Sequence, residues 1–150
     1  MKYLLLPMIS FALMGCEEPP HQLQTQDNLK LADSAKLHAL TLNLTNTTEE
    51  GGVLRIELKR SNDQLLEERS IDMNEFTGSI VFSDILEGYY SIQVYQDIDA
   101  NQQLNMDGPI PQEPIGFSNN PILQGPPTFA VTGFEITSDL TQEVQLIDYR

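Results

Sequence analysis

From position 37 onward the chain alternates apolar and polar residues with a period of two. Leu40, Leu42 and Leu44 are interleaved with Thr41, Asn43 and Thr45, which places one face of a strand in a core and the other in water. The turn-like stretch Thr47-Thr48-Glu49-Glu50-Gly51-Gly52 follows. Leu54, Ile56 and Leu58 then alternate with Arg55, Glu57 and Lys59, a second strand whose charged face must meet solvent. Ser61-Asn62-Asp63 turns the chain. The stretch 64–73 is less regular, because Leu65-Leu66 before Glu67-Glu68-Arg69 could begin a helix. Ile71 and Met73 restore the alternation, so a strand is expected there. Ser79 to Phe82 predicts a short strand with Ile80 and Phe82 on one face. Asp84 to Gly88 predicts a turn, with Gly88 free to take a positive φ. Tyr90, Ile92 and Val94 then point one way, and Tyr89, Ser91, Gln93 and Tyr95 the other. Phe129 to Ile136 and Glu143 to Tyr149 are the last two expected strands, the final one with Val144 and Leu146 opposed to Glu143, Gln145 and Ile147. A sustained 3.6-residue period is missing from position 37 onward. About seven short strands over residues 37–150 predict an all-β fold, an antiparallel β-sandwich. With no Trp and a single cysteine, its core must be built from Leu, Ile, Val, Phe and Tyr.

The first 36 residues follow no such pattern. Lys2 precedes an apolar run, Tyr3 to Met14, of signal-peptide length and short for a membrane span. The run ends in Leu13-Met14-Gly15-Cys16, which resembles the lipobox of bacterial lipoproteins, where the cysteine thiol is lipidated and the chain is cut just before it. An ordinary secretory signal with a chance cysteine is the alternative. Cys16, however, is the only cysteine, and an unpaired exported thiol is unusual. The resemblance implies residues 1–15 as signal peptide and Cys16 as membrane anchor. With Glu17 next, it also implies an outer-membrane lipoprotein, periplasmic or surface-facing. Residues 16–36 are polar, contain Pro19-Pro20 and read as a flexible tether. His21 and His38 have no ligand companions nearby in sequence.

Charge narrows the partners. The chain has 22 acidic and 8 basic residues, a formal balance of −14. Cleavage before Cys16 removes Lys2 and moves it from −14 to −15. Such a polyanion repels nucleic acid and anionic lipid surfaces, so membrane attachment would come from acyl chains. An envelope protein or a glycan is the expected partner class. Excess carboxylate also favours divalent cations.

The richest chemistry lies between Asp97 and Asn120. Asp97, Asp99, Asn101, Gln103, Asn105 and Asp107 place an oxygen-bearing side chain at every second position, a spacing that in calcium loops folds hard oxygen ligands around one ion. The seventh position, Gln103, would offer its backbone carbonyl. Zinc is disfavoured without His or Cys. Two positions depart from the EF-hand pattern: Gln102 stands where a glycine turns the loop, and Gly108 where a bidentate Glu closes it. Glu113 would supply that carboxylate only if the Pro109–Pro111 segment folds back. The same residues also suit a loop that uses Asp and Asn to satisfy its own backbone. A loop this long and rich in Asp, Asn and Pro is usually functional or disordered. Phe117, Ser118, Asn119 and Asn120 at its end are expected to form a partner surface.

Several of these residues together resemble a known family. Leu86-Glu87-Gly88-Tyr89-Tyr90, Gln96-Asp97 through Asn101 to Asn105, Pro111-Gln112-Glu113 and Gly116-Phe117-Ser118-Asn119-Asn120 are similar to the motifs of the domain of unknown function 2141 family of exported bacterial proteins. The family's usual His is Gln96 here, its Asn-Gly is Asn101-Gln102, its Leu-Asp is Leu104-Asn105, and the Gly after its Glu is Pro114. The resemblance implies an immunoglobulin-like or transthyretin-like sandwich and carries no established activity. The expected function is therefore a non-enzymatic, lipid-anchored binding or structural module with a calcium-binding loop. Alternatives are a metal-free accessory or docking subunit of an envelope complex, and a hydrolase, such as a glycosidase, built on the acidic residues. Nothing near His21 or His38 in sequence supports a Ser-His-Asp or Cys-His arrangement.

Overall fold

The computed structural model describes residues 36–61 and 64–150. The expected signal peptide, Cys16 and all of the expected tether but Lys36 lie outside the described residues, as does most of the Ser61–Asp63 turn. Ten strands and one helical turn make up the described chain. They are β1 (Leu37–Thr45), β2 (Val53–Arg60), β3 (Leu65–Asp72), β4 (Ser79–Leu86), β5 (Gly88–Asp97), β6 (Met106–Asp107), β7 (Ile110–Pro111), β8 (Ile115–Phe117), α1 (Phe129–Thr132), β9 (Phe134–Ile136) and β10 (Leu140–Gln145). One sheet runs β10-β1-β4. A second runs β3-β2-β5-β8, with β9 also on β5, and β6 and β7 pair as a small hairpin.

The alternation becomes burial. Leu40, Leu42 and Leu44 of β1 lie in one hydrophobic cluster with Ile80, Phe82 and Ile85 of β4 and with Val144. Leu54, Ile56 and Leu58 of β2, Tyr90, Ile92 and Val94 of β5, and Phe134 and Ile136 of β9 complete the same cluster from the second sheet. Each fully buried Leu or Ile side chain contributes about 1.5–3 kcal/mol of transfer free energy. A one-residue slip of β1 or β2 would turn its whole set outward, so these residues also fix register. Buried Tyr90 keeps its hydroxyl satisfied: it donates to Leu86 O at 2.7 Å and accepts from Arg60 Nη2 at 3.3 Å.

Five expectations change. The turn expected over 84–88 shrinks, because β4 continues to Leu86. Its register against β1 shifts between His38 and Leu40, with Asp84 at φ 61°, a bulge that returns Ile85 to the core face. The segment 129–136 is not one strand. Phe129–Thr132 makes a single helical turn, tied by Gly133 N–H to Phe129 O at 2.8 Å, before β9 begins. Ile115–Phe117, expected within the loop, is a strand on the edge of β5 beyond β9. Finally, β10 pairs with β1 in parallel, whereas the other strand pairs are antiparallel. After Gln145 the chain leaves β10, and Ile147 bridges to Ile115 of the other sheet. The expected strand over 143–149 thus ends early.

Candidate functional site

β5 ends at Asp97, which is fully buried. Three donors occupy its oxygens. Asn101 N–H reaches Oδ1 at 3.0 Å, while Gln102 N–H at 2.9 Å and Arg55 Nε at 3.1 Å reach Oδ2. Bonding residues four and five positions ahead winds the chain into a tight turn around this carboxylate. Ala100 and Gln102 pay for that turn with φ of 56° and 70°. Gln102 therefore holds the left-handed conformation that a glycine supplies in calcium loops, at a cost of about 1–3 kcal/mol.

The next carboxylate, Asp99, is exposed and gathers the amides. Asn101 N–H bonds its Oδ1 at 3.2 Å, and Asn101 Nδ2 and Asn105 Nδ2 bond its Oδ2, each at 3.0 Å. Asn101 Oδ1 accepts Gln103 N–H at 2.8 Å, and Asn105 Oδ1 accepts Asn101 Nδ2 at 2.9 Å. The β6–β7 hairpin then folds the chain back, closed by Gln112 N–H on Asn105 O at 2.8 Å. This return delivers Glu113 into the turn, where it is 2% exposed. Its Oε1 accepts Ile98 N–H at 3.0 Å and its Oε2 accepts Asn105 N–H at 3.1 Å.

Carboxylate oxygens of Asp97, Asp99 and Glu113 consequently lie within 4.8 Å of one another. Asn101 and Asn105 join them through Asp99. Two further sequence-predicted ligands are exposed. Asp107 sits exposed on the hairpin, outside this group, and exposed Gln103 takes part through its N–H. Burial pushes the Glu113 carboxyl up; the two N–H bonds oppose that, and the charges of Asp97 and Asp99 add to the rise. At Asp99 desolvation also acts upward, but hydrogen bonds from Asn105 and Asn101 outweigh it and hold the carboxyl below its usual range. Arg55 is bonded to Asp97 alone of the three, while Asp99 and Glu113 are met by main-chain and amide N–H groups.

Two further residues build the root of the loop. Gln96 is fully buried and grips the β1–β2 turn. It accepts Thr48 N–H at 2.9 Å and donates to Thr48 O at 3.0 Å and Gly51 O at 2.7 Å. Gly52 lies so close that a Cβ there would stand 2.3 Å from Asp97 O. Pattern reading missed Arg55 and Gln96 as site-builders, because their roles follow from the β2–β5 register, in which Arg55 faces Tyr95 and Leu54 faces Gln96.

At the loop's far end, Ser118 is buried and cannot belong to the expected partner surface. Its hydroxyl accepts Ile92 N–H at 2.9 Å and donates to Thr132 O at 2.6 Å. Asn119 donates to Gly133 O at 2.7 Å. Asn120 joins β10 by donating to Glu143 O at 2.9 Å and accepting Gln145 N–H at 2.7 Å. Phe117 is half-buried on β8.

The sequence model of a family described as an uncharacterized protein conserved in bacteria, DUF2141, matches residues 42–145, more than half of the chain. The chain belongs to the DUF2141 family. The match runs from β1 to the end of β10, so the DUF2141 unit includes both sheets and the whole acidic loop. No curated protein and no solved structure matches the chain.

Proposed function

We propose that this DUF2141 chain is a non-enzymatic, lipid-anchored module of the bacterial cell envelope, an immunoglobulin-like or transthyretin-like β-sandwich whose β5–β8 loop binds calcium. The observation that carries the calcium reading is the convergence of Asp97, Asp99 and Glu113 to within 4.8 Å, two of them buried, with one arginine bonded to Asp97. Like charges held this close repel each other, and a divalent cation would relieve that repulsion. The donors are all hard oxygens, with the Asn101 and Asn105 amides alongside. This set fits calcium better than zinc, and its flexible, many-membered character fits calcium better than magnesium.

Every carboxylate of the group also accepts a backbone N–H, which favours a second reading. The loop could hold its shape without an ion and serve an envelope complex as a metal-free docking element. A glycosidase is the weakest reading. Its two carboxyl groups stand about 5–9.5 Å apart with room for substrate, whereas Asp97 and Glu113 are crowded and engaged by main-chain donors.

Thermal unfolding of the chain from residue 17 onward decides between the first two. Calcium at a hundredfold over its Kd should raise Tm by about 10 °C, magnesium by much less, and chelator should reverse the shift. Asp99→Ala and Asn101→Ala, both at exposed positions, should remove the response while leaving the domain folded. An unchanged Tm at millimolar calcium would leave the docking reading in its place.

A further inference from the structure

Beside the acidic group the same loop walls a second feature, a cavity of about 570 Å³. Leu104, Met106 and Ile110 of the hairpin region, Ile115 and Phe117 of β8, and Leu123 supply its apolar wall, together with prolines of the flanking segments. Leu104 and Met106 face the cavity, while Asn105 between them bonds Asp99 and Glu113. One stretch of the loop, residues 104–106, thus serves two sites. The polar side chains at the cavity are the Gln93 amide and the half-exposed Tyr149 hydroxyl.

The volume suits one small organic molecule, since ligand pockets usually span about 300–1,000 Å³. The apolar wall requires an apolar body. Charge selects the rest. From Ser70 to Tyr149 the sequence contains no Lys or Arg, and every residue lining the cavity falls in that stretch. The loop that forms the wall carries Asp97, Asp99, Asp107 and Glu113, of which Asp97 alone is paired among the described residues, with Arg55 of β2, so the loop stays net negative. Arg150 follows Tyr149, but its guanidinium is held by Glu50 at 3.0 Å and Asp148 at 2.8 Å, so that cluster adds net negative charge. An anionic amphiphile would approach against this field, and a cation would be drawn in by it. Phe117 and Tyr149 also offer aromatic faces, which attract cations.

We propose that this cavity binds a small organic cation with an apolar or aromatic body. The test uses the mature chain carrying Cys16→Ser, so that no acyl chain competes, and is run in chelator, so that its outcome is independent of calcium binding. Benzyltrimethylammonium and phenylacetate, similar in size and opposite in charge, are titrated separately while the methyl NMR signals of Leu104, Ile110, Ile115 and Leu123 are followed. The cation should shift these methyls saturably, at least about tenfold more tightly than the carboxylate, and added NaCl should weaken it. Ile110→Trp, at an exposed position on the cavity wall, should fill the space and abolish the shifts at the other three residues with the remaining spectrum unchanged. Equal binding of phenylacetate, or no saturable shift with either probe, would overturn the proposal. So would cation shifts that persist in Ile110→Trp and spread over the acidic surface.

Discussion

Glu113 and Asp97 are carboxylates taken out of water, and each is stabilised by main-chain N–H groups of the loop it organises. At Glu113 these bonds do not outweigh burial and the neighbouring charges, so its folded-state pKa is raised above 4.5. The sign of the linkage follows. Below 4.5 both folded and unfolded chains carry the proton. As pH rises past 4.5 the unfolded chain ionises first, and stability is lost until pH has passed the raised folded value. Asp99 acts in the opposite sense: its lowered pKa adds stability above 3.8 that disappears as pH falls through the folded value. In chelator, then, the wild type should lose stability relative to Glu113→Gln as pH rises from 4.5, and the difference should become constant above the folded pKa. Denaturation midpoints of the two proteins across that range provide the check, and parallel curves would refute the assignment. Where calcium is bound, the need for an ionised ligand should flatten the wild-type loss.

At the scale of elements, the loop depends on its contact with the β1–β2 turn. Gly51 and Gly52 both have positive φ, at 81° and 85°, but only Gly52 abuts Asp97, while nothing lies within 4 Å of a Cβ at Gly51. Gly51→Ala should therefore cost only the left-handed strain, about 1 kcal/mol. Gly52→Ala adds a backbone clash and should cost about 2–4 kcal/mol in all, read as a lower urea midpoint with unchanged slope. Equal losses would place the loop root elsewhere. The strands that sequence alone reveals are those with enough length to display a period, namely β1, β2, β4 and β5, with β3 showing a weaker one. β8 has three residues and too short a run to show one, and α1 is a single turn made by local bonds after Pro126-Pro127. Strand direction has no period at all, so the parallel β1–β10 pair could not be read. The clustering of Asp97 and Asp99 was legible from their spacing, and the return of Glu113 followed the proline-bearing hairpin. Arg55 and Gln96 were not legible, because their partners come from strand pairing across about forty residues.

The molecule as a whole is a polyanion, at −14, and this decides how it can be held at a membrane. Among the described residues no helix is long and apolar enough to cross one. An anionic bilayer surface favours polybasic segments at about 1 kcal/mol per Lys or Arg and disfavours an acidic domain by the same physics. The attachment proposed through Cys16, which lies outside the described residues, would rely instead on buried methylenes at about 0.8 kcal/mol each, and would need two or more chains for stable anchoring. That energy is insensitive to ionic strength, whereas surface electrostatics fade beyond a Debye length of about 3 Å at 1 M salt. Expressed in a bacterium, the wild-type chain should remain with membranes through a high-salt wash and enter the detergent phase on partitioning. Cys16→Ser should move the protein to the aqueous phase with the thermal stability of its domain unchanged. A Cys16→Ser protein that still enters the detergent phase would show that something other than a thiol-linked lipid holds it. Release of the wild type by salt would show that the attachment is electrostatic and mediated by a cationic partner, because the domain's own charge cannot supply it.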